Sequence, residues 1–348
     1  MRRRPHTATL IALAVAAAVV VTIVVVSVRS RDGEDRAGTG PGTTTDATAP
    51  GAVTATTATA GPSPPIAPGV PPMPAWADVP GGPPPFEVPP GGDANVTREP
   101  GGRRVSIASD DGTPLAEARV DPDGVYRSVR YYDRRGDVTL VVDRIDAGPA
   151  RVTGSMARGG GCRDSRAAGG PTWGAFPMRW RINVRSIPRG LPRAATVLAA
   201  RRARGVWASN ANRCGVPDAS RASFRYMGAT TRPLGRNGTS SVGFGDVDAM
   251  GGVCRGALAS TFTWMAGGRG IETDVRLDAR PVRPYTVATP PPVRRIDVWS
   301  VVVHETGHAL GFGHVGDASN VMYPRLVPGG SHRRLGLGDA RANNARYR

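Results

Sequence analysis

The stretch that decides the fold is His304-Glu305-Thr306-Gly307-His308-Ala309-Leu310-Gly311-Phe312-Gly313-His314, and it holds three of the chain's five histidines. His304 and His308 lie four residues apart. A helix of about 3.6 residues per turn therefore presents both imidazoles on one face. Gly311 can adopt a left-handed conformation that ends such a helix and turns the chain back, so that His314 reaches the same ion. The spacing predicts a three-histidine metal site.

Glu305 adds chemistry to this predicted site. Three neutral imidazoles leave one position of a zinc ion for water, and a carboxylate beside the first ligand is placed to deprotonate that water. The alternative for two histidines at this spacing is a pair without metal, in the core or on the surface. Gly311 and His314 argue against that alternative, because a simple pair needs neither. The stretch therefore favours zinc-dependent hydrolysis of a peptide bond.

The composition allows one catalytic domain with additional segments, because the chain has 348 residues. The formal net charge is +17, and all 45 basic residues are arginine. These arginines are scattered, and the sequence has no zinc-finger, RNP or basic-helix pattern. We therefore expect no specific nucleic-acid partner.

The N-terminal residues 1–30 are typical of a signal anchor. Three arginines precede an uncharged apolar run over residues 8–28, which is long enough to cross a bilayer at about 20 residues. No small-x-small cleavage site follows Val28. We expect a single-pass protein of the cell membrane with its catalytic domain outside; secretion after signal cleavage is the alternative.

Three segments separate the anchor from the catalytic half. Residues 31–100 are rich in Thr and Ala and then in Pro and Gly, and they predict a disordered stalk. Residues 101–160 contain short β-favouring runs between turn signals and predict a small antiparallel sheet. A pro-segment, a spacer and a docking module would all look alike here. Residues 161–176 form a glycine-rich connector.

The catalytic half, residues 177–348, predicts an α+β order. Residues 178–185 alternate like a strand, and a helix follows Pro192. Further strands are expected near 223–227, 241–245, 256–262 and 271–277. The histidine helix comes next, with Asp297 as its N-cap and with Val302 and Leu310 on the side opposite His304.

The histidine motif, followed eight residues after His314 by Met322 in Val321-Met322-Tyr323-Pro324, resembles the metzincin peptidases and the matrixins in particular. The resemblance covers residues 177–348. It implies a twisted, mostly parallel sheet with one antiparallel edge strand and three helices. In this chain that domain would follow the small β-rich region and the N-terminal transmembrane helix.

The resemblance also implies roles. His304, His308 and His314 would bind one catalytic zinc ion, Glu305 would be the general base, and Met322 would form the floor beneath the histidines. A protein or peptide substrate would lie extended along the edge strand. The substrate-lining residues would be Ala257, Leu258 and Ala259 on that strand and Tyr323 and Pro324 in the wall after Met322. We expect a monomer.

Departures from the family qualify the metal content. Ser260 stands where relatives carry a histidine for a second, structural zinc, so we expect the catalytic zinc alone. Calcium is a further expected cofactor only if loop acids converge on it; otherwise these acids are solvated. The loop acids concerned are Asp246, Asp248, Asp274 and Asp278.

The three cysteines leave alternatives open. Residues 213–218 spell the cysteine-switch motif of matrixin pro-segments, but they follow the first catalytic helix, where no pro-segment should be. We therefore expect a disulfide between Cys214 and Cys254. Cys162 lies nearer the position expected for a cysteine switch, without the motif. It either caps zinc, pairs with Cys214 or stays free.

These patterns favour a membrane-anchored, extracytoplasmic zinc endopeptidase. One alternative is a catalytically idle cell-surface binding or adhesion module on the same fold. The intact Glu305 argues against it, because loss of this base is the simplest route to inactivity. Another alternative, suggested by the arginine excess, is a binder of anionic wall polymers or nucleic acid.

Overall fold

The computed structural model of the chain describes most residues from 93 onward, namely 93–99, 102–108, 111–121, 126–133, 135–148, 162–164, 166–170, 172–247, 254, 256–281 and 284–348. The expected signal anchor and nearly all of the expected stalk lie outside these residues. Within the described ranges, no helix has the length and apolar character needed to cross a bilayer.

Three helices and a series of strands make up the described part. The helices are α1 (Arg193–Ala208), α2 (Val298–Ala309) and α3 (Leu337–Arg346). The strands are β1 (Asp93–Glu99), β2 (Gly102–Ala108), β3 (Pro114–Val120), β4 (Tyr126–Tyr132), β5 (Val138–Ala147), β6 (Ala168–Gly169), β7 (Thr172–Trp173), β8 (Met178–Asn183), β9 (Phe224–Thr230), β10 (Ser241–Gly245), β11 (Ala259–Ala266), β12 (Arg269–Asp278), β13 (Tyr285–Thr286), β14 (Ile296–Asp297), β15 (Phe312–Gly313) and β16 (Arg325–Leu326).

Five strands of the catalytic half form the predicted mixed sheet. Their order is β11-β12-β10-β8-β9. Neighbours pair in parallel from β12 to β9, and only β11 runs antiparallel to the rest. The predicted mostly parallel sheet with one antiparallel strand and the three helices of an α+β domain are therefore present.

The β-rich region differs from the prediction because it is continuous with the catalytic sheet. Strands β1 to β5 form an antiparallel meander, and β5 pairs antiparallel with β11 from Leu140 opposite Trp264 to Ile145 opposite Ala259. β11 is thus an interior strand of a larger sheet. β5 is rich in valine and carries apolar or β-branched residues toward both faces, which suits a strand paired on both sides. β1 also lies within the expected stalk, because Asp93–Glu99 pairs with β2.

Helix α2 lies at the centre of the catalytic half. The Asp297 side chain accepts a hydrogen bond from the Ser300 N–H (3.1 Å), which confirms the predicted N-cap. Trp207 on α1 donates its indole N–H to the carbonyl of Val303 (2.7 Å) and joins the two helices. Every residue from 300 to 310 is buried, so the histidine face is covered as well as the apolar face.

Candidate metal centre and cleft

The three predicted histidines converge on one point. Their Nε2 atoms lie 2.9 Å apart between His304 and His308, 3.1 Å between His308 and His314, and 3.2 Å between His304 and His314. Ligand nitrogens around a tetrahedral zinc ion with bonds of about 2.0–2.1 Å lie about 3.3–3.4 Å apart. The three nitrogens therefore have nearly the spacing that a zinc ion needs. In the described part of the chain, they form the one group of three or more metal-binding side chains.

Backbone carbonyls orient two of these rings. Nδ1 of His304 lies 2.7 Å from the carbonyl oxygen of Val321, and Nδ1 of His308 lies 2.8 Å from that of Phe312. A carbonyl only accepts, so each Nδ1 carries the proton and each Nε2 keeps its lone pair for a metal. Burial lowers the pKa of all three histidines, which favours the neutral form that binds zinc.

Local backbone geometry brings the third histidine into place. Gly311 has a φ of 79°, and its N–H donates to the carbonyl of His308 (2.7 Å). This left-handed residue ends α2 and reverses the chain, as the sequence predicts, and the short strand β15 then leads to His314.

Glu305 is fully buried beside the histidines. Its Oε2 accepts a hydrogen bond from the hydroxyl of Thr261, while its Oε1 has no hydrogen-bond partner among the described residues. Burial raises the pKa of Glu305 well above its ordinary value; the Thr261 hydrogen bond lowers it, and the nearby Asp143 charge raises it. A buried carboxylate oxygen without a partner fits a carboxylate that accepts a proton from a metal-bound water.

Met322 packs directly against the histidine helix. A Cβ built on Gly307 would lie 2.2 Å from the Sδ of Met322 and 2.7 Å from Trp207, so only glycine allows this close approach. Met322 is buried, and the carboxylate of Asp339 accepts hydrogen bonds from the backbone N–H groups of Val321 and Met322. Met322 therefore packs against Gly307 of the histidine helix, and its role as the floor beneath the histidines stays a prediction.

Two residues that hold the site were not predicted as such. Thr261 supports Glu305, and Asp339 fixes the turn that carries Met322. Thr261 is one of several threonines in a strand-like run, and Asp339 looks like an ordinary acid in the first turn of a helix. Each role depends on a partner 17 to 44 residues away in sequence, so no local pattern indicates it.

The predicted substrate-lining residues lie on two sides of a cleft that β5 fills. The Leu258 N–H donates to the carbonyl of Ile145 (2.8 Å) on one side. On the other side, the Pro324 carbonyl accepts from the Asp146 N–H (3.0 Å). Ala257, Leu258 and Ala259 are buried, and Tyr323 is partly buried. The cleft walls are brought together, and a strand of the same chain lies between them.

A cavity of about 210 Å³ remains between the β-rich region and the histidines. Arg103, Arg119 and Arg127 line it from the β-rich region, and His308 and His314 line it from the catalytic half. The β-rich region therefore covers the metal centre rather than lying away from it.

The expected disulfide between Cys214 and Cys254 is wrong. Cys214 is bonded to Cys162, with Cα atoms 5.4 Å apart, and Cys254 is a buried free thiol. Cys162 also does not act as a cysteine switch in this structure, because its sulfur is in that bond. The sequence could not choose, since the loop after α1 approaches the connector only in the folded chain.

The acids considered for calcium have other partners. Asp274 is fully buried and accepts hydrogen bonds from the N–H (2.8 Å) and hydroxyl (2.6 Å) of Ser241; burial raises its pKa to about 8. Asp246 pairs with Arg280, and Asp278 accepts from the backbone N–H of Arg280 (3.0 Å). Asp248 lies outside the described residues. Calcium binding stays a prediction.

Comparison with known proteins agrees with the motif. Residues 240–348 match the family model described as Matrixin. A search of curated proteins found no match. The matched segment contains the three histidines, Glu305 and Met322, together with β10, β11 and β12. β8 and α1 precede it but belong to the same sheet and core.

Proposed function

We propose that the chain is a zinc-dependent endopeptidase, on the premise that residues 240–348 match the Matrixin family model and bring three histidines together. The observation that carries the proposal is the convergence of three Nε2 atoms within 3.2 Å beside the unpartnered Oε1 of buried Glu305.

Each residue of the site has its own role in the proposed reaction. His304, His308 and His314 would hold zinc, which supplies a polarised water and charge stabilisation for the developing oxyanion. Glu305 takes a proton from the attacking water and passes it to the leaving amine. Thr261 holds the Glu305 carboxylate in place by its hydroxyl. His304, His308, Glu305 and Thr261 are buried, which excludes bulk water from these groups and strengthens their electrostatic interactions.

An extended peptide suits the two walls of the cleft. β11 offers its backbone on one side and residues 323–326 offer theirs on the other. Backbone hydrogen bonds to both would hold a substrate with little dependence on its side chains, as in other cases of strand addition. The pocket for the residue after the cut would lie between Leu258 and Leu326.

We also propose that the enzyme is membrane-anchored and acts outside the cell. This rests on the apolar run over residues 8–28 and on the lack of a cleavage site after it. If the chain is anchored, the full chain should need detergent to stay in solution. If the cell removes the N-terminal segment, the mature protein should stay in solution without detergent. This measurement tests anchoring separately from catalysis.

The proposal is tested by hydrolysis of casein or of the chain itself. We expect cleavage by the zinc-loaded protein, and we expect a chelator and Glu305→Ala each to reduce it by about a thousandfold or more. Cleavage that survives both treatments would exclude a zinc peptidase. Zinc binding without any cleavage by any form would favour the idle binding module.

Metal content gives an independent measurement. His304→Ala, His308→Ala or His314→Ala each removes one of three ligands, so stoichiometric zinc should be lost from each purified variant. His332→Ala is the matched control: this histidine is outside the cluster, and its variant should retain one zinc per chain. Full zinc retention in a cluster variant would contradict the ligand assignment.

A further inference from the structure

Strand β5 lies in the cleft in the direction that a substrate would take. It runs antiparallel to β11 and parallel to β16, which follows the Met322 turn. The strand therefore contacts both surfaces that the proposed function assigns to a bound peptide.

The hydrogen bonds of β5 change from one wall to the other at a defined position. The Ile145 carbonyl accepts from the Leu258 N–H (2.8 Å) on the β11 side. The Asp146 N–H donates to the Pro324 carbonyl (3.0 Å), and the Gly148 N–H donates to the Leu326 carbonyl (2.9 Å), on the other side. A chain held by alternate backbone groups to two walls is fixed in register as well as in direction.

Two neighbouring residues of β5 meet the metal centre and the pocket. The backbone of Arg144 makes a hydrogen bond with the ring of His314. The next side chain, Ile145, is buried and belongs to the apolar cluster around α2 and Leu326. Leu140 and Val142 of the same strand belong to the other cluster, shared with the β-rich region. The Arg144 backbone therefore contacts the histidine cluster directly, next to the Asp143 side chain, whose Oδ2 lies 3.8 Å from Nδ1 of His308.

We propose that β5 is the enzyme's own first substrate, and that the Arg144–Ile145 peptide bond is hydrolysed by the metal centre of the same chain. This inference rests on the proposed function. The oxygen of one water adds to the Arg144 carbonyl carbon, Glu305 takes a proton from that water, and the C–N bond to Ile145 breaks. The proton passes to the new amine of Ile145, and Arg144 becomes a carboxylate.

The cut would convert a covered site into an open one. Before it, β5 fills the cleft, so other peptides cannot reach Glu305. After it, residues 1–144 are held only by noncovalent contacts, because Cys162, Cys214 and Cys254 all lie in the C-terminal fragment. Strand pairing and the ion pairs of Arg127 and Arg144 with Asp146 would have to break for release. The β-rich region is thereby assigned the role of a pro-segment.

The direct test is incubation of the purified full chain with zinc, followed by intact mass and N-terminal sequencing. We expect a fragment that ends at Arg144 and a second that begins with Ile145. The first-order rate constant should be unchanged over a roughly hundredfold range of protein concentration, because enzyme and substrate are one molecule. Glu305→Gln should stay intact. A cut elsewhere, with the Arg144–Ile145 bond preserved, would overturn the proposal.

A pair of truncations tests whether the pocket selects this bond. Ile145→Ala removes the side chain that fills the pocket, and we expect the cut at this bond to slow by about tenfold or more. Val129→Ala is the matched control, because Val129 is equally buried but lies on β4 in the other cluster. Its rate should stay within about twofold of the unmodified chain. Equal slowing in both variants would assign the effect to stability and contradict the proposal.

A measurement without catalysis tests the position of β5. In zinc-loaded Glu305→Gln, the amide hydrogens of Asp146 and Gly148 should exchange slowly, because both donate to the cleft wall. Adding Ile145→Asp places a carboxylate in an apolar pocket, so exchange at both amides should accelerate by about a hundredfold while exchange in α2 is unchanged. Rapid exchange of both amides in Glu305→Gln alone would show that β5 does not occupy the cleft.

The outcomes separate this inference from the proposed function. If Ile145→Asp cleaves an added peptide while the unmodified chain keeps its Arg144–Ile145 bond, the function stands, β5 is an inhibitor only, and the inference is wrong. If no zinc-loaded form cleaves the chain or any added peptide, the proposed function fails, whatever the exchange data show.

Discussion

At the scale of single residues, some groups of the site can be predicted from the sequence and others cannot. The spacing of the three histidines and Glu305 follows from helical geometry and one left-handed glycine. Thr261 has no such signal. Its hydroxyl reaches Glu305 because β11 packs against α2, and the two residues are 44 positions apart in sequence.

Thr261→Val tests the contribution of this hydroxyl, because valine keeps the shape and removes the donor. The Thr261 hydrogen bond lowers the pKa of Glu305. Its loss should therefore raise that pKa and move the acidic limb of kcat/KM for peptide hydrolysis to higher pH. On the acidic side, kcat/KM should fall by about tenfold, as expected for a lost hydrogen bond to a charged group. Zinc content should stay at one per chain.

Thr263→Val is the control for Thr261→Val. Thr263 lies two residues along β11, and its hydroxyl pairs with that of Thr273 (3.3 Å) rather than with Glu305. Its acidic limb should not move. Equal pH profiles for the two variants would contradict the role given to Thr261.

At the scale of elements, the start of α2 is fixed by more than its N-cap. Asp297 accepts from Ser300, and it also forms a two-point ion pair with Arg333 through Nε (2.7 Å) and Nη2 (2.8 Å). The cap is evident from sequence, because a short acidic side chain precedes an apolar helical run. The ion pair is not, since Arg333 follows 36 residues later.

Asp297→Ala should lower the free energy of unfolding by about 3 kcal/mol, because it removes the cap and leaves the Arg333 guanidinium without its carboxylate. Chemical denaturation monitored by circular dichroism measures this change. Arg333→Ala, which leaves the cap in place, should cost less than Asp297→Ala. A loss below about 0.5 kcal/mol for Asp297→Ala would show that the cap and the ion pair do not stabilise α2.

Strand β5 pairs with β11, and the sequence of neither element indicates this pairing. Both strands were expected from their β-favouring residues, but their pairing was not, because a strand pattern does not specify its partner. β11 was expected as an edge open to substrate. In the structure, its free hydrogen-bonding groups are satisfied by β5, which protects an edge that would otherwise be exposed.

At the scale of the whole molecule, the disulfide joins the connector to the loop after α1. Cys162 and Cys214 are separated by 52 residues, and closing a loop of that length stabilises a fold by about 4 kcal/mol through the entropy of the unfolded chain. Both cysteines belong to the fragment that would begin at Ile145, so the proposed cut would leave this bond intact.

Cys162→Ser should therefore lower the free energy of unfolding by about 4 kcal/mol relative to the oxidised chain. Cys254→Ser is the control, because it leaves the bond in place. Peptide mapping without reduction should find Cys162 linked to Cys214 in the unmodified chain and in Cys254→Ser. A Cys214–Cys254 peptide pair in the unmodified chain would contradict the structure.

The sequence by itself determined the metal motif, the order of strands and helices in the catalytic half, and the cap of α2. These depend on spacing over a few residues, where helical and strand periods, glycine conformation and capping act locally. The sequence also indicated the β-rich character of the residues before the connector.

Only the tertiary structure decided which cysteines pair, which residues support Glu305 and Met322, and where β5 lies. Each of these depends on contacts between segments far apart in the chain, which are set by packing of the whole core. The sequence of a β-strand that pairs on both sides does not indicate which strands are its neighbours. The position of β5 in the cleft was therefore decided only in the folded chain.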